Sequence, residues 1–263
     1  MAIPEPMLST RADRWPAQAG WVMEPKWDGF RLLVAIEWDG RTRAWSRRGA
    51  SLDDRVGSLL EPLADAPRGS IFDAELVALS ARDGSVVQDF ATVCRAALRA
   101  DAAAAERLHL VAFDLLELAG DDVRPMPWVR RTQLLREAFP ASDRLRLVHS
   151  RPASQAVHDE LVSLGFEGSV LKRPGSMYRP GRQSAWRKYK ANHRATATLK
   201  ALRQGRDGNT YAISDLDGRR VTTIASARLT PFIGHQVELA YSRIDADGSL
   251  REVRISAVDV ASD

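Results

Sequence analysis

The chain has 263 residues, room for one large domain or two ordinary ones, and at 44% hydrophobic it can build a real core. No stretch approaches the roughly 18 uninterrupted apolar residues of a membrane helix, and Met1 to Thr10 lacks the basic-then-apolar pattern of a secretory signal. The single cysteine, Cys94, excludes an intramolecular disulfide and a thiolate metal cage and points to a reducing cytoplasm, while a net charge of +4 fits nucleic acid without requiring it.

In chain order, Arg31 to Trp38 is apolar between charged flanks and reads as a strand. Leu52 to Leu63 has helical spacing. Ile71 to Leu79 and Leu108 to Leu116 read as buried strands. Between them the alanine-rich stretch from Arg95 to Arg107 predicts one helix. Ser154 to Leu164 predicts another, with Gly165 as its C-terminal cap. The texture changes near Ala191-Asn192-His193-Arg194. Short alternating runs follow: Thr196 to Leu202, Tyr211 to Leu216, Arg220 to Ile224, Gln236 to Ile244 and Glu252 to Val260. Turns at Arg206-Asp207-Gly208-Asn209, Asp217-Gly218 and Asp247-Gly248 separate most of them. Five short strands in this span suggest a small barrel of the OB type, with a β-sandwich fragment as the alternative.

Four segments carry the chemistry. In Glu24-Pro25-Lys26-Trp27-Asp28-Gly29-Phe30-Arg31 a lysine stands just before a predicted strand. Taken alone, the Asp-Gly that follows could be a turn. In Ile71-Phe72-Asp73-Ala74-Glu75-Leu76-Val77, Asp73 and Glu75 alternate with apolar residues and are expected on the wet side of the strand. Ala112-Phe113-Asp114-Leu115-Leu116 reads, in isolation, as a core strand with an aspartate. The fourth is Phe166-Glu167-Gly168-Ser169-Val170-Leu171-Lys172, continued by Arg173, Arg179, Arg182 and Trp186-Arg187-Lys188-Tyr189-Lys190. That strip has seven Lys/Arg, one acidic residue, and Tyr178, Trp186 and Tyr189 interleaved, a composition suited to phosphates and bases. Lys188 and Lys190, two apart, share a face if the segment is a strand. Of 38 basic residues only Lys26, Lys172, Lys188, Lys190 and Lys200 are lysines. Against a bias towards arginine, lysine persists where a removable proton or a compact point charge is needed.

In this order the four segments resemble the covalent nucleotidyltransferase superfamily of ATP-dependent DNA ligases, RNA ligases and mRNA capping enzymes. Ser46-Arg47-Arg48-Gly49 also matches the motif that follows the nucleophile in DNA ligases. The segment around Lys26 looks closest to the ligases of bacterial, phage and archaeal repair systems. The resemblance implies an α+β fold: a nucleotidyltransferase (adenylation) domain over residues 1–191 with antiparallel sheets and flanking helices, then a small OB-fold β-barrel over 195–263. It also implies roles. Lys26 attacks the α-phosphate of ATP and becomes lysyl-AMP. Glu24 frames the adenine, and Phe113 stacks on it. Arg31 and Arg47 hold ribose and phosphate oxygens. Glu75 and Glu167, expected to face an open cleft, bind nucleotide or Mg²⁺ (or Mn²⁺). Lys188 and Lys190 grip the α-phosphate. AMP then passes to the 5′-phosphate of nicked double-stranded DNA, and the 3′-hydroxyl displaces it.

Only 25 residues precede Lys26. DNA is therefore expected to be held by the catalytic domain, the barrel or a partner, with Arg179 and Arg182 as contacts on a loop rich in Gly and Pro. The family's terminal Arg/Lys motif has no lysine counterpart in Arg251-Glu252-Val253-Arg254-Ile255-Ser256-Ala257-Val258-Asp259, so either Arg251 or Arg254 substitutes for it or self-adenylation is slow while sealing of a pre-adenylated nick stays fast. The expectation is a monomeric, cytoplasmic enzyme of DNA repair and recombination, working with repair proteins. The alternatives are an RNA ligase or GTP-using capping enzyme and, from another class, a non-catalytic binder of nucleic-acid ends.

Overall fold

The computed structural model describes residues 3–12, 16, 19–63, 66–82, 85–244 and 249–258. The chain divides into two units, Met1–Tyr189 and Lys190–Asp263.

The first unit begins with β1 (Met7–Arg11), β2 (Val22–Pro25), β3 (Phe30–Ile36), β4 (Thr42–Ser46), α1 (Asp53–Leu60, extended by a 3-10 turn Glu61–Leu63) and β5 (Ser70–Arg82). Next come β6 (Ser85–Gln88), α2 (Phe90–Arg99), α3 (Ala102–Ala105), β7 (Leu108–Leu118), β8 (Asp121–Asp122) and α4 (Trp128–Ala138). The unit closes with β9 (Leu145–Leu147), β10 (Arg151–Pro152), α5 (Gln155–Ser163), β11 (Gly168–Lys172) and β12 (Gly181–Lys190), whose last residue falls in the second unit.

One sheet runs β4-β3-β5-β7-β8, with β6 on β5 and β9 on β7; the other runs β1-β12-β11-β2-β10. β3 explains the layering. Leu32, Val34 and Ile36 join Phe72, Ala74 and Leu76 in a core shared with α1 to α4. Leu33 and Ala35, on the opposite face, pack with Met7, Trp186 and Tyr178 from the side of the second sheet. A strand buried on both faces reads as a continuous apolar run rather than an alternating one. No described helix is long and apolar enough to cross a membrane.

Two expectations change here. The single alanine-rich helix is two, because Ala100 adopts a left-handed conformation (φ 54°) and the Asp101 side chain caps the Ala104 amide. Aspartate competes with the helix for its own backbone and favours the N-cap, which outweighs alanine propensity. Asp73 is not on a wet face: it is fully buried, because the second sheet covers that side of β5. Helix α5 follows expectation. Ser154 caps the Val157 amide, and Gly165 (φ 87°) ends the helix with Phe166 N–H donating to Leu161 O and Gly165 N–H to Val162 O. That is a Schellman closure, with Phe166 packed in the same cluster as Leu161.

The second unit contains β13 (His193–Gln204), β14 (Thr210–Leu216), β15 (Arg219–Ile224), a 3-10 turn Ala227–Phe232, β16 (Gln236–Tyr241), β17 (Arg243–Ile244), β18 (Leu250–Arg251) and β19 (Arg254–Val258). Its main sheet is ordered β15-β14-β13-β16-β19, antiparallel throughout. The Thr223 hydroxyl of β15 donates to the Val253 carbonyl just before β19, so the two edges approach and the sheet curls towards closure. This connectivity is that of a five-stranded Greek-key barrel. Asp217 and Gly218, both at positive φ, make the tight β14–β15 turn that Asp-Gly favours. The expected strand Gln236 to Ile244 breaks at Ser242, and the last expected strand starts at Arg254 because Glu252 turns left-handed (φ 51°). The turn at Asp247-Gly248 and positions 259–260 lie outside the described residues.

Candidate active site

Lys26 follows β2 directly, and its amide donates to the Gly168 carbonyl at 2.9 Å, which ties it to the start of β11. Its ammonium forms an ion pair with Oε2 of Glu167, the residue before that strand. The Schellman turn at Gly165 delivers Glu167 there, and Trp27 meets Phe166 edge-on at 4.9 Å between ring centroids. The Lys26 side chain is 21% exposed and Glu167 9%, so the nucleophile candidate is reachable while its carboxylate partner is nearly enclosed.

Gly29 is explained by close approach rather than by a turn. A Cβ there would lie 2.0 Å from the Leu76 carbonyl oxygen. Lacking one, β3 pairs with β5 so that Arg31 stands opposite Glu75 and Leu33 opposite Asp73. The Arg31 guanidinium forks onto Asp73, Nε to Oδ1 at 2.8 Å and Nη2 to Oδ2 at 2.5 Å. The buried Tyr178 hydroxyl donates to the same Oδ2 at 2.7 Å. Burial raises the Glu75 carboxyl from the usual 4.5 to about 7, against the opposing pull of Lys26 and Arg31. Both carboxylates are more enclosed than expected: Glu167 is buried and Glu75 half-buried.

Phe113 on β7 is half-buried, with the Arg31 guanidinium carbon 5.4 Å and the Lys172 Nζ 4.8 Å from its ring centroid. Glu24 on β2 is buried and pairs with Lys172 at 2.7 Å; burial raises it too to about 7, with Lys172 lowering it. The structure thus gathers Lys26, Glu167, Glu75, Arg31 and Phe113, with Glu24 joined through Lys172. Arg47 is exposed in the turn after β4. Lys188, half-buried on β12, accepts at its carbonyl from the Ala12 amide. Lys190, in the second unit, pairs with Glu252.

Arg179 and Arg182 are both exposed. Arg179 is on the loop expected, whereas Arg182 lies within β12 and donates to Ser9 O at 3.0 Å. The aromatics of the basic strip are not free for bases: Tyr178 and Trp186 are buried core residues, and Tyr189 packs on His158. In the second unit Arg254 donates to Asn192 Oδ1 at 3.1 Å. Sequence reasoning missed three structural participants. Asp114, read only as an aspartate in a core strand, and Arg131 form a fully buried bidentate pair, and Lys172 was read as part of the basic strip without a partner. The paired buried charges had no sequence signal beyond their apolar surroundings.

The family model for the ATP dependent DNA ligase domain matches residues 6–190. The multifunctional non-homologous end joining protein LigD of Pseudomonas aeruginosa is 33% identical over 183 residues, 68% of this chain and 21% of that protein. A DNA ligase of Haloferax volcanii is 33% identical over 178 residues, 64% of this chain and 30% of that protein. The chain thus spans only a fifth to a third of these relatives. Among solved structures, a Lig E DNA ligase described as binding DNA with a minimal scaffold aligns with TM-score 0.72 at 17% identity, covering 98% of this chain and 100% of that one. The ligase domain of M. tuberculosis LigD aligns with TM-score 0.61 at 24% identity over 97% and 94%. These likenesses show the fold: α+β, largely antiparallel, with a nucleotidyltransferase part followed by an OB barrel.

Proposed function

Because the chain belongs to the ATP-dependent DNA ligase family, whose model spans residues 6–190, we propose that it seals 5′-phosphate/3′-hydroxyl nicks in double-stranded DNA through a lysyl-AMP intermediate. The carrying observation is Lys26, a reachable lysine held by Glu167 beside Glu75. In this reading Nζ bonds to the α-phosphorus of ATP, the bond to pyrophosphate breaks, and the lysine proton has the Glu167 carboxylate within reach. Arginine could not serve, because it does not shed its proton. Phe113 offers a half-open ring to the adenine, Glu24 an acceptor beside it, and Lys188, Lys190 and Arg47 positive charge for phosphate oxygens. The carboxylates of Glu75 and Glu167, both beside Lys26, suit Mg²⁺ or Mn²⁺, because Mg²⁺ usually binds through one or two carboxylates plus phosphate oxygens and water. Such an ion would neutralise charge on the transferring phosphoryl group. Glu75 and Glu167 would hold it.

For DNA, we assign Arg179 and Arg182 to backbone phosphates. The division into adenylation and barrel domains, the monomeric state, a cytoplasmic location and a place in DNA repair belong to the same reading; the end-joining name of the Pseudomonas relative supports the last. The test is incubation with labelled ATP or GTP, followed by mass spectrometry of the adduct and a nicked-DNA sealing assay. AMP is expected on Lys26, with Lys26→Ala and Lys26→Arg both folded and unlabelled. AMP on another residue, or a labelled variant, refutes the assignment.

A further inference from the structure

Lys172 is an ammonium with 1% exposure. Glu24 Oε2 lies 2.7 Å away, and Nζ donates to the Phe113 carbonyl at 3.2 Å. The rings of Trp186, Phe113 and Trp128 surround it, at 4.2, 4.8 and 5.6 Å to their centroids. The pair follows from register: β11 and β2 are antiparallel with Val170 opposite Glu24 and Lys172 opposite Val22, so Lys172 and Glu24 are diagonal neighbours on one face. Burying an ion pair is costly, and apolar residues of similar volume often replace one without loss of stability. A chain with 33 arginines among 38 basic residues has nonetheless kept a lysine here, a compact ammonium among three rings. A second observation points to a ligand. Glu24 is 3% exposed, and its other oxygen, Oε1, has no hydrogen-bond partner among the described residues. An open acceptor in a buried carboxylate is unfavourable until a donor arrives.

We propose that Lys172 is a positioning residue for nucleotide recognition: by fixing Glu24 through Oε2 and the Phe113 main chain through its carbonyl, it keeps Glu24 Oε1 free and aimed for an N–H donor of the purine base. Lys172 touches both residues assigned to the base. It thereby favours a purine bearing an exocyclic amine over one bearing a carbonyl at the same place. The inference rests on the ligase reading, so labelling of the wild-type chain by ATP comes first. No label sinks that reading, whereas a labelled wild type lets Lys172 be judged separately.

The experiment is the ATP and GTP dependence of self-adenylation in wild type, Lys172→Met, Glu24→Gln and the K172M/E24Q double variant, with melting curves on each. K172M should raise the apparent KM for ATP ~10- to 100-fold, the scale of one charge-assisted hydrogen bond. It should lower the rate at saturating ATP far less, and should narrow the preference for ATP over GTP. In the E24Q background the same substitution should change KM less than ~2-fold, because a residue that acts through Glu24 has nothing left to position. An equal effect in both backgrounds, or none in either, overturns the proposal. If K172M alone does not fold because it strands the carboxylate, the neutral double variant decides: a KM equal to that of E24Q supports the role, and a further rise refutes it.

Discussion

Glu75→Gln should stabilise the protein at alkaline pH while impairing its chemistry. In the folded chain burial lifts this carboxyl from 4.5 to about 7. The sign follows from proton binding. Below about 4.5 the group is protonated in both folded and unfolded chains and costs nothing. As pH rises from 4.5 to 7 the unfolded chain releases the proton and the folded chain resists, so stability falls; above 7 the loss is complete. At 1.36 kcal/mol per pH unit, a rise from 4.5 to about 7 amounts to about 3 kcal/mol. Glutamine cannot ionise, so the variant should gain up to about 3 kcal/mol over wild type at pH 8.5 and close to nothing at pH 4.5. The attraction of Lys26 and Arg31 is already contained in that net value, since both act to lower it. Urea unfolding at the two pH values measures the difference directly. A variant equally stabilised at both, or destabilised at pH 8.5, refutes the claim that the partial burial of Glu75 opposes its charge. In the same samples self-adenylation should be strongly reduced.

Arg131→Met should cost ~3–5 kcal/mol, because it leaves the buried Asp114 carboxylate without its cation. The added change Asp114→Asn should recover part of that in denaturant unfolding, and failure to recover any would show that the charge is not the cause. Arg179→Ala with Arg182→Ala should lower DNA affinity and flatten its salt dependence, by ~0.9 in log–log slope for each phosphate left without its arginine. An unchanged slope removes both from the DNA surface.

Much of the site was legible because its chemistry restricts residue type. Lys26, Glu167 and Glu75, drawn from separate segments of the chain, lie together, with Arg31 and Phe113 beside them. What stayed hidden depends on layers that no local pattern encodes. Alternation placed Asp73 on a wet face; a second sheet covers that face, so the aspartate instead anchors Arg31. Interleaved aromatics suggested base contacts, yet Tyr178 and Trp186 fill the space between the sheets. Asp-Gly suggested a turn, while the structure needs Gly29 for close approach to the backbone of Leu76 on the neighbouring strand. Barrel strands and helix α5 were readable because their turn and cap residues sit beside them in sequence. The pairing of Lys172 with Glu24 was not, because it depends on the register of two strands far apart in the chain.

The closure of α5 has a dynamic consequence. Only Phe166 separates the capping Gly165 from Glu167, and the Phe166 amide is held by Leu161 O at 3.1 Å. Fraying of that last turn would loosen Phe166 beside the carboxylate, while Gly168 stays tied to the Lys26 amide. The exchange rate of the Phe166 amide proton with solvent is therefore a reporter, placed outside the reacting groups, of how often the turn beside Glu167 opens.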